Sequence, residues 1–248
     1  MREWIIGRNP IFEVLKASRR HVFRLLIAQG IQENGRIPDI LHLCKDLRVP
    51  IEYIPRHQLD IYGNGHQGVA LETSSYSYSH LKDIQKKIEQ QSEPALLLIL
   101  DTLQDPQNFG TLLRTAESVG VHGVLLPLRH TVNVTPAVVS ASSGACEHLL
   151  IAQVNLAQAI KHLKNDGIWV VGLENEASSM SLDQIQLDGP LALVVGGEGK
   201  GLRPLIRDSC DFLLQLPMRG KIESLNAATA GSVALYLIWQ ARGFEVTK

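Results

Sequence analysis

Ala95-Leu96-Leu97-Leu98-Ile99-Leu100 decides the architecture of the larger part of this 248-residue chain. Such an unbroken apolar run offers no polar face to solvent, so it reads as a strand buried on both sides, in a parallel sheet covered by helices. Working outward, the pattern continues as helix 108–119, strand 121–126, helix 136–142, strand 149–151 and helix 156–165. Strands 168–173 and 191–195, a short helix near Pro204, strand 212–216 and a last helix over 226–242 follow. In open sheets of this kind ligands sit beyond the carboxyl ends of the strands. Three polar loops fall there.

The first loop runs from Asp101 through Asp105-Pro106-Gln107-Asn108-Phe109-Gly110 and leads to Arg114 in the helix that follows. Asn108 and Arg114 lie near that helix start and suit a phosphate or a ribose, although six residues apart they need not share a face. The second is Gly196-Gly197-Glu198-Gly199-Lys200-Gly201, where glycines permit close backbone approach to a ligand and a single acid stands among them. The third, Leu216-Pro217-Met218 through Ser224-Leu225-Asn226, delivers a polar turn to a helix N-terminus whose backbone N–H groups are free. Ser224 or Asn226 is the expected N-cap.

Two tempting matches fail. Leu202 stands where a phosphate-binding P-loop requires Ser or Thr, and the glycine spacing, late in the chain, does not fit the dinucleotide fingerprint. Cys44, Cys146 and Cys210 form no C-x-x-C pair, which argues against a disulfide framework or a zinc knuckle and for buried, reduced thiols. Cys146-Glu147-His148 lacks a nucleophile elbow, His66 and His122 read as turn or loop residues, and no His/Glu spacing points to a metal. A net charge of −1 means that any nucleic-acid site must be a local patch. Lys16, Arg19, Arg20, His21 and Arg24 cluster, in the manner of solvated charge at a helix end. With no membrane-length apolar run and no secretory leader, a cytoplasmic setting is expected.

Ahead of the large sheet, helices and strands alternate over residues 1–73, which predicts a small α/β domain. Asn9-Pro10 should open its first helix. The serine- and tyrosine-rich run at 74–79 and the polar, helix-prone segment up to Pro94 read as a linker, 74–93, and residues 94–248 as the second domain. A tether there would let the front domain move while capturing a large ligand.

Taken together, the three loops resemble the signature motifs of the SpoU/TrmH family of RNA ribose 2'-O-methyltransferases. Gly7-Arg8-Asn9-Pro10, His66-Gln67-Gly68-Val69 and Ser143-Gly144-Ala145-Cys146-Glu147-His148 are also similar to family segments, so the resemblance covers nearly the whole chain. It implies a SPOUT fold, a parallel sheet whose C-terminal part is threaded into a trefoil knot, acting as a homodimer. No sequence pattern predicts a knot, since knots are nearly absent from proteins. The resemblance further implies S-adenosylmethionine as cofactor, with backbone groups of Gly196, Leu216 and Leu225 on it and Met218 beside it. Asn108, Arg114, Glu198, Ser224 and Asn226 occupy the positions of the family's functional polar residues. Ala227-Ala228-Thr229 departs from the family's usual Val-Ser-Val at a place that faces helix packing. The front domain is similar to a ribosomal-protein-like RNA-binding module. The two-domain length is most similar to the member that methylates a guanosine of 23S ribosomal RNA. Two alternatives stay open: methylation of transfer RNA, and a non-catalytic RNA-binding protein of the same fold, such as a ribosome-assembly factor. Neither membrane nor DNA is an expected partner.

Overall fold

The computed structural model describes residues 2–129, 131–176, 179–197, 199, 201–222 and 224–245. In chain order the first elements are β1 (Arg2–Ile6), α1 (Arg8–Ala17), β2 (Val22–Ala28), α2 (Ile37–Asp46), β3 (Ile51–Ile54), β4 (Val69–Ser74) and α3 (Leu81–Gln90). Then come β5 (Leu96–Leu100), α4 (Pro106–Ser118), β6 (Gly123–Pro127), α5 (Pro136–Ala141), β7 (Ile151–Val154), α6 (Leu156–Asn165) and β8 (Trp169–Leu173). The chain closes with β9 (Leu191–Val195), α7 (Pro204–Arg207), β10 (Phe212–Leu214) and α8 (Ala227–Ala241). It divides into two compact units, Met1–Ser77 with Asn133–His148, and Tyr78–Val132 with Leu149–Lys248.

The first unit is built on a four-stranded sheet of order β1-β4-β2-β3, antiparallel except for the β2–β3 pair. Both parities of β2 are buried: Leu25 and Ile27 on one face, Leu26 and Ala28 on the other. Leu26 and Ala28 pack with Ala70 and with Leu59, which joins two short 3-10 segments, and Trp4, Ile6 and Tyr62 border them. Helix α1 opens at Arg8, before the expected Asn9 cap, because Gly7 takes a φ of 91° and turns the chain into the helix early. Pro10 then sits in the first turn, where its missing N–H costs nothing.

Residues 133–148 join this unit instead of the second domain to which the sequence reading gave them. Helix α5 packs on β1, and the 3-10 turn Ala145–His148 packs on α1. A buried ion pair reinforces this packing. Arg20, 6% exposed, holds the fully buried Glu147 carboxylate at 2.8 Å through one guanidinium nitrogen, and Glu3 at 2.8 Å through another. Two members of the basic cluster at 16–24 are thereby paired within the fold, since Arg24 also bonds Glu72 at 2.7 Å and Glu52 at 3.0 Å, while Lys16 and His21 stay exposed.

The second unit carries a six-stranded, wholly parallel sheet of order β10-β8-β9-β5-β6-β7. All five residues of β5, of β6 and of β9 are buried, as two-sided cover demands. The stretch read as a tether contains α3, capped by His80 and Asp83, whose Ile84 is fully buried in the core with Leu97 and Leu125. Ile84 lies so close to Gly123 that a Cβ there would meet it at 2.5 Å. Three apolar side chains on an otherwise polar helix, Leu81, Ile84 and Ile88, suffice to dock it. Helix α8 crosses α4 closely because Gly231 has no side chain; a Cβ there would come within 2.6 Å of Leu112. A hydrogen bond between the Thr115 and Ser232 hydroxyls, 2.9 Å, fixes the pair.

Candidate active site

Beyond the carboxyl ends of β8 and β9, the segments that follow them meet the approach to α8 around a cavity of about 550 Å³. That lies within the usual ~300–1,000 Å³ of small-molecule sites. Gly196, Leu216, Met218 and Leu225, the four residues named as cofactor contacts, all line it, as do Ser224 and Asn226. The other expected polar residues lie elsewhere. Asn108 is not on the wall but bonds a residue that is, Arg114 is exposed six residues further along α4, and Glu198 falls outside the described residues.

The glycine loop closes on this chain. A Cβ on Gly196 would strike the backbone of Gly201 and Leu202, and one on Gly197 would reach the Thr102 carbonyl at 2.8 Å. Gly197 also bridges Gly201, so the loop is a tight fold-back at the end of β9. Gly201 takes φ +60°, and the Glu174 carboxylate fills the space a side chain would need. The glycines first serve chain-on-chain contact, where the sequence had suggested approach to a ligand. Asp101, fully buried at the end of β5, anchors the far side of the loop. It accepts from the Arg203 backbone N–H at 2.9 Å and from its Nε at 2.7 Å.

Asn226 is the N-cap of α8. Its Oδ1 accepts from the N–H groups of Ala228 at 2.9 Å and Thr229 at 3.2 Å, which fixes the amide orientation. Its Nδ2 then donates to Asn108 Oδ1 at 3.1 Å. Asn108 is held in turn by its own helix start, where its backbone N–H donates to the Asp105 carboxylate at 3.0 Å. Two helix N-termini, of α4 and α8, are thus tied by one hydrogen bond between side-chain amides at the cavity edge. Such an arrangement can orient a polar group by hydrogen bonding and offers partial positive charge to an anion.

Sequence reasoning missed Glu174 and Asn175, which line the cavity from the end of β8. Glu174 Oε2 accepts from the Leu202 N–H at 3.0 Å. Their signal was available: a polar Glu-Asn pair directly after an apolar strand that ends on the ligand side. The Cys146 thiol is indeed inert, being fully buried and pushed by that burial up to about 12.

Residues 95–236 match the SpoU rRNA Methylase family, and residues 4–79 match the module described as RNA 2'-O ribose methyltransferase substrate binding. The chain belongs to the SpoU methylase family. A Bacillus subtilis (strain 168) relative, YacO, described as a TrmH family tRNA/rRNA methyltransferase, is 41% identical over 97% of this chain and 96% of its own length. A Staphylococcus aureus relative of the same description is 38% identical over 96% of each chain. The SpoU methyltransferase AviRb of Streptomyces viridochromogenes, solved in complex with AdoMet, shares the fold. Its TM-score is 0.80 at 23% identity, over 97% of this chain and 90% of AviRb. An AdoMet-bound rRNA methyltransferase from Sinorhizobium meliloti superposes with TM-score 0.79 at 22% identity, over 99% and 88% of the two chains. This SpoU protein is therefore an RNA methyltransferase.

Proposed function

We propose that this SpoU protein transfers the methyl group of S-adenosylmethionine to the ribose 2'-hydroxyl of a guanosine in 23S ribosomal RNA. The observation that carries the reading is the convergence of Gly196, Leu216, Met218 and Leu225 on one cavity beside the Asn108–Asn226 bond. The cavity fits the donor: its wall combines apolar Leu216, Met218 and Leu225 with the acid and amide of Glu174 and Asn175. Bound there, the donor supplies an electrophilic methyl carbon. The chain's own task is alignment, since in-line displacement gains most from fixed geometry. Ser224 and Asn226 order the turn that forms one wall, and Glu198 is assigned to hydrogen bonding in the glycine loop or to the target nucleotide.

Arg114 we assign as a phosphate clamp that positions the ribose and offsets developing alkoxide charge, because a guanidinium is too basic to accept the hydroxyl proton. That proton passes to phosphate or water. The exposed Val233 and Tyr236 on α8 fit a homodimer, the assembly proposed here together with the trefoil knot and a cytoplasmic setting. Residues 1–73 would hold the RNA, in keeping with the matched substrate-binding module. A transfer RNA substrate is the second reading, favoured by the wording tRNA/rRNA in the relatives' descriptions.

Mapping 2'-O-methyl groups in ribosomal and transfer RNA from a strain lacking the gene tests the substrate. Loss of one 23S guanosine methylation is expected, and loss confined to transfer RNA overturns the assignment. Arg114→Lys tests the clamp: turnover should fall at least ~10-fold, since a lysine cannot reproduce the bidentate fork, and full turnover would end the idea.

A further inference from the structure

We infer that Glu174 is the specificity residue for the donor's sugar, its carboxylate accepting from the vicinal hydroxyls of the ribose; this rests on the S-adenosylmethionine reading above. Glu174 is the one charged side chain among the described residues on the cavity wall. Its position is built from both sides. Oε2 accepts from the Leu202 N–H at 3.0 Å, and Gly201, with φ +60° and no side chain, leaves the carboxylate the space that a Cβ would contest at 2.5 Å from Oε1. Among the described residues Oε1 accepts no hydrogen bond. An ionised carboxylate has about four acceptor sites, so one backbone N–H leaves most of its capacity facing the cavity.

A ligand for this wall must therefore bring donors. The vicinal hydroxyls of a nucleoside provide two at the spacing of one carboxylate. An acid at the end of a parallel strand beside a glycine turn reads ribose hydroxyls in dinucleotide sites by the same chemistry. Asn175, next in the chain, also lines the wall, but its amide oxygen already accepts from Gln215 Nε2 and it carries no charge. The role is specificity and positioning.

The test uses the full chain and the product S-adenosylhomocysteine with its 2'-deoxy and 3'-deoxy analogues, titrated calorimetrically. Glu174→Gln keeps an acceptor for the Leu202 N–H and removes the charge, so the loop contact survives. The parent protein should prefer the ribose form by about tenfold or more, since a site built to bond a hydroxyl discriminates strongly against its loss. Glu174→Gln should reduce that preference to within ~2-fold while weakening the ribose ligand, because bonds to charged groups are the strong ones. Glu174→Asp, which retracts the carboxylate by one methylene, should fall between the two. If Glu174→Gln weakens ribose and deoxyribose ligands equally, the residue only braces the glycine loop, or meets another donor, and the inference is overturned. Failure of the parent to bind any adenosyl ligand overturns the donor reading itself, a distinct result.

Discussion

Replacing Asn226 separates folding from chemistry, because its two functions use different atoms. The Oδ1 caps α8 through two N–H groups at 2.9 and 3.2 Å, and the Nδ2 holds Asn108 at 3.1 Å. Asn226→Ala loses both. Loss of the cap costs about 1 kcal/mol, which for a protein of this size lowers Tm by ~2–4 °C. Asn226→Ser keeps a cap of nearly equal rank but has no amide to reach Asn108, so its Tm should stay within about 2 °C of the parent. The methyl-transfer rate should nevertheless fall ~10- to 100-fold in both variants, since a displacement near 1 Å at a reacting centre costs about 100-fold. Circular-dichroism melts and transfer of labelled methyl groups to RNA provide the two readouts. Full activity in Asn226→Ser, or a loss in Asn226→Ala no larger than its unfolded fraction, would refute the argument.

Three further predictions concern stability. Arg20→Met strands the buried Glu147 charge and should cost ~3–5 kcal/mol in urea unfolding, whereas Arg20→Met with Glu147→Leu should recover most of it; a single variant within ~1 kcal/mol of the parent would contradict the buried pair. Gly231→Ala should destabilise by ~1–3 kcal/mol through overpacking against Leu112 and Val195, seen as a lower urea midpoint; an unchanged midpoint would mean that α4 and α8 can part freely. His122 is fully buried and its Nδ1 accepts from the Leu96 N–H, and burial lowers its pKa, against a partial opposing pull from Glu93. The unfolded chain therefore binds the proton first. The stability this residue contributes is complete above ~6.5 and is lost as pH falls toward the lowered folded value. His122→Gln should flatten Tm between pH 7 and 5 relative to the parent, and parallel profiles would rule this out.

The parallel sheet was legible because burial on both faces writes itself as uninterrupted apolar runs, and Leu191–Val195 and Leu156–Asn165 lie where the pattern put them. Arg2–Ile6 went unread because its side chains are mostly half-buried and its pairing partner, Val69–Ser74, is distant in sequence. Helix α3 was seen as helix-prone, yet its polar composition masked a three-residue apolar face. The assignment of 133–148 turns on contacts between residues far apart in sequence, the Arg20–Glu147 pair separated by 127 residues and the His148–Glu13 bond by 135, which no local period records. At the candidate site, loop order and content brought Gly196, Leu216, Met218, Ser224, Leu225 and Asn226 together, because each follows a strand that ends on the same side. Glu174 stands directly after an apolar strand that ends on the ligand side, which marks it in the sequence, whereas its bond to the Leu202 N–H is a contact to backbone that composition does not record.

Because α5 and the turn bearing Glu147 complete a unit that begins at the N-terminus, the first module cannot finish folding on the ribosome until synthesis has passed residue 148. By then β5 and β6 of the other module have already been synthesised. Arg20 must wait for Glu147, the buried one of its two carboxylate partners, so ordered domain-by-domain maturation gives way to joint maturation, and no single proteolytic nick releases either module intact.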